Sequence, residues 1–491
     1  MMKSKQGQIL RSLLAILLIG LSWWGIFAAR SGLVVRSFER DQVPLLYMVP
    51  QQAQNAPGVL IAHGFAGSKQ LMLGYGHVLA RAGYAVMLWD FDGHGANPAP
   101  LKGFELQKNL DVARQVLVEQ PEVDRTRLAL LGHSMGSGVV IAAGVQNVEQ
   151  FAATIAISPG GQKVTSQAPR NLQLQVGAWE GRLLPYTQQL LKDAGGANEQ
   201  FAQGKARELV TVPTVEHITI LFSQVSHQAA LRWLDLTFGQ QSQSEYVDRR
   251  MIWYFLHLVG WLLLLSAIAP YVKIPATPDL KIAPWRAWGG LVVSPIVALG
   301  GLRLLDPIVD LQSLGGVQVG GAVGIWFLIA GLVWLRILGQ LPRVSWQLAG
   351  FGVALFGLLW IAVGAMAQIV WLQWWLIPAR LMIWLPIAIA CFPWFLASGM
   401  VQQSTRWFTR LGWWFGQSVM LIAGFLVVII VLPKLGFMFL LLPLFPVVMA
   451  LFAFVSALLN NSWIYAIGNT LFFAWLLAAG FPLSACCLSF G

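Results

Sequence analysis

Acidic residues are scarce in this chain, and past residue 250 they nearly vanish. Residues 251–491 hold ten Lys/Arg against only Asp279, Asp306 and Asp310. So few carboxylates argue against an ion or proton relay of the kind transporters bury in their spans, although Asp306 and Asp310 are the outliers to watch. Cysteine is almost as rare. Cys391, Cys486 and Cys487 are the only three, all in apolar C-terminal stretches that suit buried packing. The chain before them needs no disulfide and fits either redox compartment. The sequence also lacks a metal-ligand cluster, a dinucleotide glycine fingerprint and a phosphate-binding glycine loop, so neither metal nor cofactor is expected. Its basic residues form no cluster on a polar stretch, which excludes a nucleic-acid partner.

What is present is apolar surface. The 491 residues are 57% hydrophobic, include 23 Trp and have a mean hydropathy of +0.64, beyond the range of ordinary soluble proteins. The net charge of +11 is unevenly spread. Residues 31–250 balance at 18 basic and 18 acidic side chains, and the excess lies in the first 30 residues and the C-terminal half. MMKSKQGQILR followed by SLLAILLIGLSWWGIFAA reads as an uncleaved membrane anchor over residues 1–30, because FAARSG lacks a clean signal-cleavage site.

From 31 to 245 short apolar strands alternate with amphipathic helices: strands near 57–64, 84–89, 127–134, 153–158, 172–177 and 208–213, helices near 70–83, 106–120, 136–147, 183–194 and 219–238. Strands apolar on both faces and separated by helices imply a mostly parallel sheet covered on both sides. VVRSFE (34–39) and PLLYMVP (44–50) suit an antiparallel edge pair. From 250 to 491 the chain becomes about eight apolar stretches near the ~20 residues that cross a bilayer, an all-α polytopic bundle. The segment 304–317 could be re-entrant or interfacial. If the N-terminus is cytoplasmic, alternation leaves Lys273, Lys281, Arg286, Arg336, Arg343, Arg406 and Arg410 inside, against Arg249, Arg250, Arg303, Arg380 and Lys434 outside. That bias expects residues 31–250 to be extracytoplasmic, in a bacterial plasma membrane.

The chemistry is concentrated in a few loops. Gly132-His133-Ser134-Met135-Gly136 ends the strand 127–131, and G-x-S-x-G at a strand-to-helix turn lifts a serine hydroxyl above the sheet. The bland alternative is a small-residue turn. His63-Gly64-Phe65-Ala66-Gly67-Ser68 follows the first buried strand, and its glycines let backbone N–H groups approach a developing oxyanion. The expected donors are the N–H groups of Phe65 and Met135, with His63 bracing the loop. Of seven histidines, His217 follows the last strand in TVPTVEHITI and can reach Ser134 as its base, whereas His227 lies on the terminal helix. Among Glu149, Glu180, Asp193, Glu199, Glu208 and Glu216, only Glu180 follows a strand at loop distance; Glu216 adjoins His217 and would point away from it.

The order HGFAGS, DFDGHG, GHSMGSG, VGAWEGRLLP, EHITI resembles the α/β-hydrolase superfamily, nearest its serine-aminopeptidase-like and dienelactone-hydrolase-like branch, over roughly residues 45–240. The resemblance implies Ser134 as nucleophile, His217 as base, Glu180 where aspartate is commoner, and the backbone of Phe65 and Met135 as oxyanion donors. It gives Asp90, Asp92, Gly93 and Gly95 a structural role. The expected protein is thus a membrane-bound serine hydrolase acting on an ester, thioester or amide of a small-molecule, lipid or acyl substrate. A transport or assembly protein with a binding-only hydrolase-like domain is the alternative. Only about a dozen residues separate the strand ending at Ser158 from that at 172, too few for a large helical lid.

Overall fold

The protein was described from a computed structural model covering every residue except Met1, Phe104, 276–279, 404–405 and 486–491. Cys486, Cys487 and Asp279 therefore lie outside the described residues. The chain forms two compact units: Gly20–Leu256 with Met366–Trp375, and Met1–Ile19, His257–Ala365 and Leu376–Gly491. The return of 366–375 to the first unit has no counterpart in the sequence pattern.

The first unit is built on eight strands: β1 (Leu33–Arg40), β2 (Val43–Pro50), β3 (Ala56–Ala62), β4 (Ala85–Trp89), β5 (Val123–His133), β6 (Ala153–Ile157), β7 (Leu172–Gly177) and β8 (Arg207–Val212). They lie in the order β1-β2-β4-β3-β5-β6-β7-β8. β2 pairs antiparallel with both β1 and β4, so only β1 is an edge at that end; β3 to β8 are parallel. Side chains alternate across each strand, and both faces are covered. Val59, Ile61 and Leu131 enter one buried cluster. Leu60, Ala62 and Leu130 enter the other.

A long helix, α1 (Met2–Ala28), precedes the sheet. The crossover helices are α2 (Leu73–Arg81), α3 (Gln107–Val118), α4 (Met135–Gln146), α5 (Leu183–Asp193) and α6 (Gln224–Phe238). Where single helices were expected over 70–83 and 219–238, 3-10 turns at Lys69–Met72 and Thr219–Phe222 precede α2 and α6. Each turn brings the chain off a strand-end loop before the helix proper begins.

The C-terminal helices are α7 (Arg250–Ile268), α8 (Pro284–Leu305), α9 (Gly320–Leu338), α10 (Trp346–Leu359), α11 (Ala365–Val370), α12 (Pro378–Gln402), α13 (Trp407–Val431), α14 (Leu444–Leu459) and α15 (Ser462–Gly480). A π turn over Trp360–Gly364 joins α10 to α11 in one apolar stretch. Counting α1, eight stretches among the described residues are long and apolar enough to cross a membrane; Pro433–Leu441 with α14, bent by 47°, supplies a ninth if it is one span. Ile296, Met382, Ile389 and Ile430 stand largely exposed, as lipid-facing side chains do, and in the bundle interior Trp326 and Phe327 pack against Trp394 and Phe425.

The segment 306–319 holds turns and one short 3-10 turn, with Asp306 ion-paired to Lys434 and Asp310 bonded to Ser313. Two arginines counted as loop charges sit inside helices. Arg380 donates to the carbonyl of Phe481 at 2.8 Å, and Arg410 to Ser456 Oγ at 2.8 Å and Asn460 Oδ1 at 2.7 Å. Omitting one from each side leaves six basic residues against four, and the bias keeps its direction.

Candidate active site

The C-terminal ends of β5, β7 and β8 converge, and each delivers one polar side chain. Ser134 stands between β5 and α4 at φ 51°, ψ −115°, a backbone conformation that a non-glycine residue adopts only under strain. The crowding of small residues around it explains how the turn is held. A Cβ on Gly136 would lie 2.5 Å from the carbonyl oxygen of His63, and one on Gly64 would lie 3.2 Å from Ser134 Cβ. Glycine at these two places lets the loop after β3 close onto the serine. Ser134 N–H donates to Ile157 O at 2.9 Å, and Ser137 Oγ donates to Ser134 O at 2.5 Å, so strand and helix grip the turn from both sides.

His217 lies in the loop after β8, with Nε2 2.9 Å from Ser134 Oγ and Nδ1 2.6 Å from Glu180 Oε1. Glu180, three residues past β7, is buried; its Oε2 accepts from Gly177 N–H at 2.7 Å and Ser158 Oγ at 2.9 Å. A carboxylate with both oxygens occupied cannot swing, so it fixes the imidazole with Nδ1 protonated and Nε2 turned to the serine. Glu216 is spent elsewhere: its carboxylate accepts from the N–H groups of Ile218 and Thr219 at 3.0 and 2.8 Å, closing the turn that carries His217.

Two further histidines brace the site. His63 donates from Nδ1 to Gly64 O at 2.7 Å and accepts Phe91 N–H at Nε2 at 3.1 Å, which ties the loop after β3 to the end of β4. Burial lowers its pKa to about 4 and keeps it neutral. His133 donates from Nε2 to the carbonyl of His217 at 2.8 Å, and burial, then the neighbouring His217, lower its pKa to about 3. His77 and His227 lie in α2 and α6, each bonded to a backbone carbonyl, and His257 lies in α7. Asp90 is fully buried, ion-paired with Lys69 and accepting Ala96 N–H at 2.9 Å, while Asp92 accepts from Asn109 at 2.8 Å. Both carboxylates hold the DFDGHG turn and stay outside the serine's reach of contacts.

Met135 is the first residue of α4, where N–H groups have no intrahelical acceptor, and Phe65 sits in the loop that Gly64 brings against Ser134. Ser158 and His133 are the site residues that sequence reasoning missed. The available signal for Ser158 was its position at the end of β6, where it too takes a positive φ of 48°.

Residues 53–218 match the family model described as "Serine aminopeptidase, S33". The first unit carries an α/β-hydrolase domain. It is fused to a multi-span helical region. An uncharacterized protein of Mycobacterium tuberculosis, in each of two strains, is 32% identical to it over 92 residues, 19% of this chain and 33% of the relative. The match thus spans about a third of those relatives' length. Among solved structures, a dienelactone hydrolase from Anabaena variabilis is similar at 18% identity and a TM-score of 0.31, covering 40% of this chain and 96% of that one. A bacterial heroin esterase is similar at 15% identity and a TM-score of 0.33, covering 43% and 86%.

Proposed function

We propose that the chain is a membrane-bound serine hydrolase that cleaves an ester, thioester or amide, with Ser134 as nucleophile, His217 as base and Glu180 as the acid that orients it. The observation that carries this reading is the hydrogen-bonded series Ser134 Oγ, His217 Nε2, His217 Nδ1, Glu180 Oε1, at 2.9 and 2.6 Å, on a strained serine turn. Serine is a weak nucleophile until its proton is removed. His217 Nε2 takes that proton as Oγ attacks the acyl carbon, and Glu180 balances the imidazolium through Nδ1–H. The N–H groups of Met135 and Phe65 receive the carbonyl oxygen as it gains negative charge. His217 then hands the proton to the leaving group, activates a water, and returns to neutral as the acyl enzyme is hydrolysed.

A lipid or acylated envelope component is the proposed substrate class. Membrane-length helices flank the domain at both ends, α1 and α7, and the connection 158–171 between β6 and β7 contains no helix to roof the site. The basic loops favour a cytoplasmic N-terminus and hence an extracytoplasmic domain. Full-length protein should react with a fluorophosphonate probe and hydrolyse short p-nitrophenyl esters. Ser134→Ala should lose both while still inserting and eluting as the wild type does. A Ser134→Ala protein that labels normally would remove the assignment, and an unreactive, folded wild type would favour a binding-only domain.

A further inference from the structure

Where α1 ends and α7 begins, the hydrolase unit encloses a cavity of about 390 Å³ that the proposed chemistry does not use. Its polar wall is basic: Arg81, Arg249 and Arg250 line it, against one lining carboxylate, Glu245. Asp248 takes Nε and Nη2 of Arg250 at 2.7 Å each, yet Nη1 of this almost fully buried side chain has no acceptor. Arg81 donates from Nη2 to the carbonyls of Ala28 and Ala29 at 3.1 and 3.4 Å, and its buried Nε also lacks an acceptor. Arg30 adds to the positive field, since burial and then the charge of Arg250 hold its pKa below the usual arginine value. Four guanidinium groups thus meet two carboxylates. Leaving buried charge uncompensated is costly, and guanidinium groups match phosphate oxygens in both charge and geometry.

The other wall is apolar and belongs to the membrane. Trp24 and Trp253 meet edge to face at 6.5 Å, and Trp24 is 66% exposed. They lie about one turn from Ala28 and Arg250, the ends of two candidate spans, at the level where tryptophan marks the bilayer interface. The close crossing depends on Gly25, because a Cβ there would lie 2.3 Å from the Trp253 ring.

We propose that this cavity binds the phosphodiester headgroup of an anionic glycerophospholipid, with its phosphate on Arg81, Arg249 and Nη1 of Arg250 and its acyl chains along Trp24 and Trp253. A soluble phosphate would satisfy the guanidinium groups but leave the tryptophan wall uncovered. The lipid holds the domain at the bilayer and takes no part in acyl transfer, so the proposal stands apart from the reading of Ser134.

Native mass spectrometry of the detergent-solubilised full chain with phosphatidylglycerol or phosphatidylcholine tests it. Wild type should retain one phosphatidylglycerol about tenfold more tightly than phosphatidylcholine. Arg81→Gln with Arg249→Gln should erase that preference, whereas Lys102→Gln with Arg125→Gln, an equal loss of charge elsewhere, should keep it. Trp24→Ala removes a largely exposed side chain and so spares the fold; it should weaken phosphatidylglycerol retention severalfold. Equal retention of the two lipids by wild type, or full retention by the Arg81/Arg249 variant, overturns the proposal. Complete displacement by inorganic phosphate, with Trp24→Ala silent, reassigns the cavity to a soluble anion and overturns the lipid claim.

Discussion

Ser134 and Glu180 show how much of the proposed catalysis rests on single side chains held by several partners. A positive φ at a non-glycine residue costs roughly 1–3 kcal/mol, tolerated here because Ile157 O and Ser137 Oγ bind the turn from opposite sides. Glu180 and Glu216 are the informative pair. One carboxylate meets His217 and is buried; the other is exposed and caps the backbone two and three residues on. Glu180→Gln keeps the shape but removes the charge that favours imidazolium, so kcat for p-nitrophenyl ester hydrolysis should fall by about 10³–10⁴. Glu216→Gln should stay within about threefold, since it touches neither reacting nitrogen. A severe Glu216→Gln with a mild Glu180→Gln would reassign the acid. Loop position after β7 made Glu180 legible in the sequence. Ser158 was not, because nothing local says that the end of β6 will face the end of β7.

The strand-end loops are elements braced by neutral histidines. His63 and His133 have pKa values lowered by burial to about 4 and about 3, against 6.5 in an unfolded chain. Above pH 6.5 both folded and unfolded forms are neutral, and the full stability is present. As the pH falls below 6.5 the unfolded chain takes up protons that the folded one refuses, so stability is lost progressively toward the folded values. From pH 7 to pH 5 each histidine should cost about 2 kcal/mol. The urea midpoint of the hydrolase domain in the full chain, followed by near-ultraviolet circular dichroism, should therefore drop over that interval. His63→Asn should shrink the drop, and a midpoint indifferent to pH would contradict the neutral bracing. The sequence placed His63 in a bracing role from its loop alone. Which groups it braces, Gly64 O and Phe91 N–H, depended on β3 and β4 lying side by side.

For the whole molecule the open question is which side of the membrane holds Ser134. With Arg380 and Arg410 inside helices, six basic loop residues still outweigh four, and alkaline phosphatase fused near residue 245 should be active while a cytoplasm-dependent fluorescent reporter there stays dark. The reverse pattern would put the domain in the cytoplasm and remove outer-facing envelope lipids as substrates. The sequence by itself determined the two textures, the strand and helix alternation, the apolar spans and the order of the motifs, because periodicity and hydropathy are local properties that need no partner. Only the tertiary structure decided which loops converge. Ser134, Glu180 and His217 are 46 and 37 residues apart along the chain, and they meet because parallel pairing of β5 through β8 aligns their strands' ends. The same holds for the return of 366–375 to the hydrolase unit, where Gln373 accepts from Gln70 at 2.6 Å, and for the arginines around the Trp24 cavity. Contacts between distant residues follow from packing, and no local pattern encodes them.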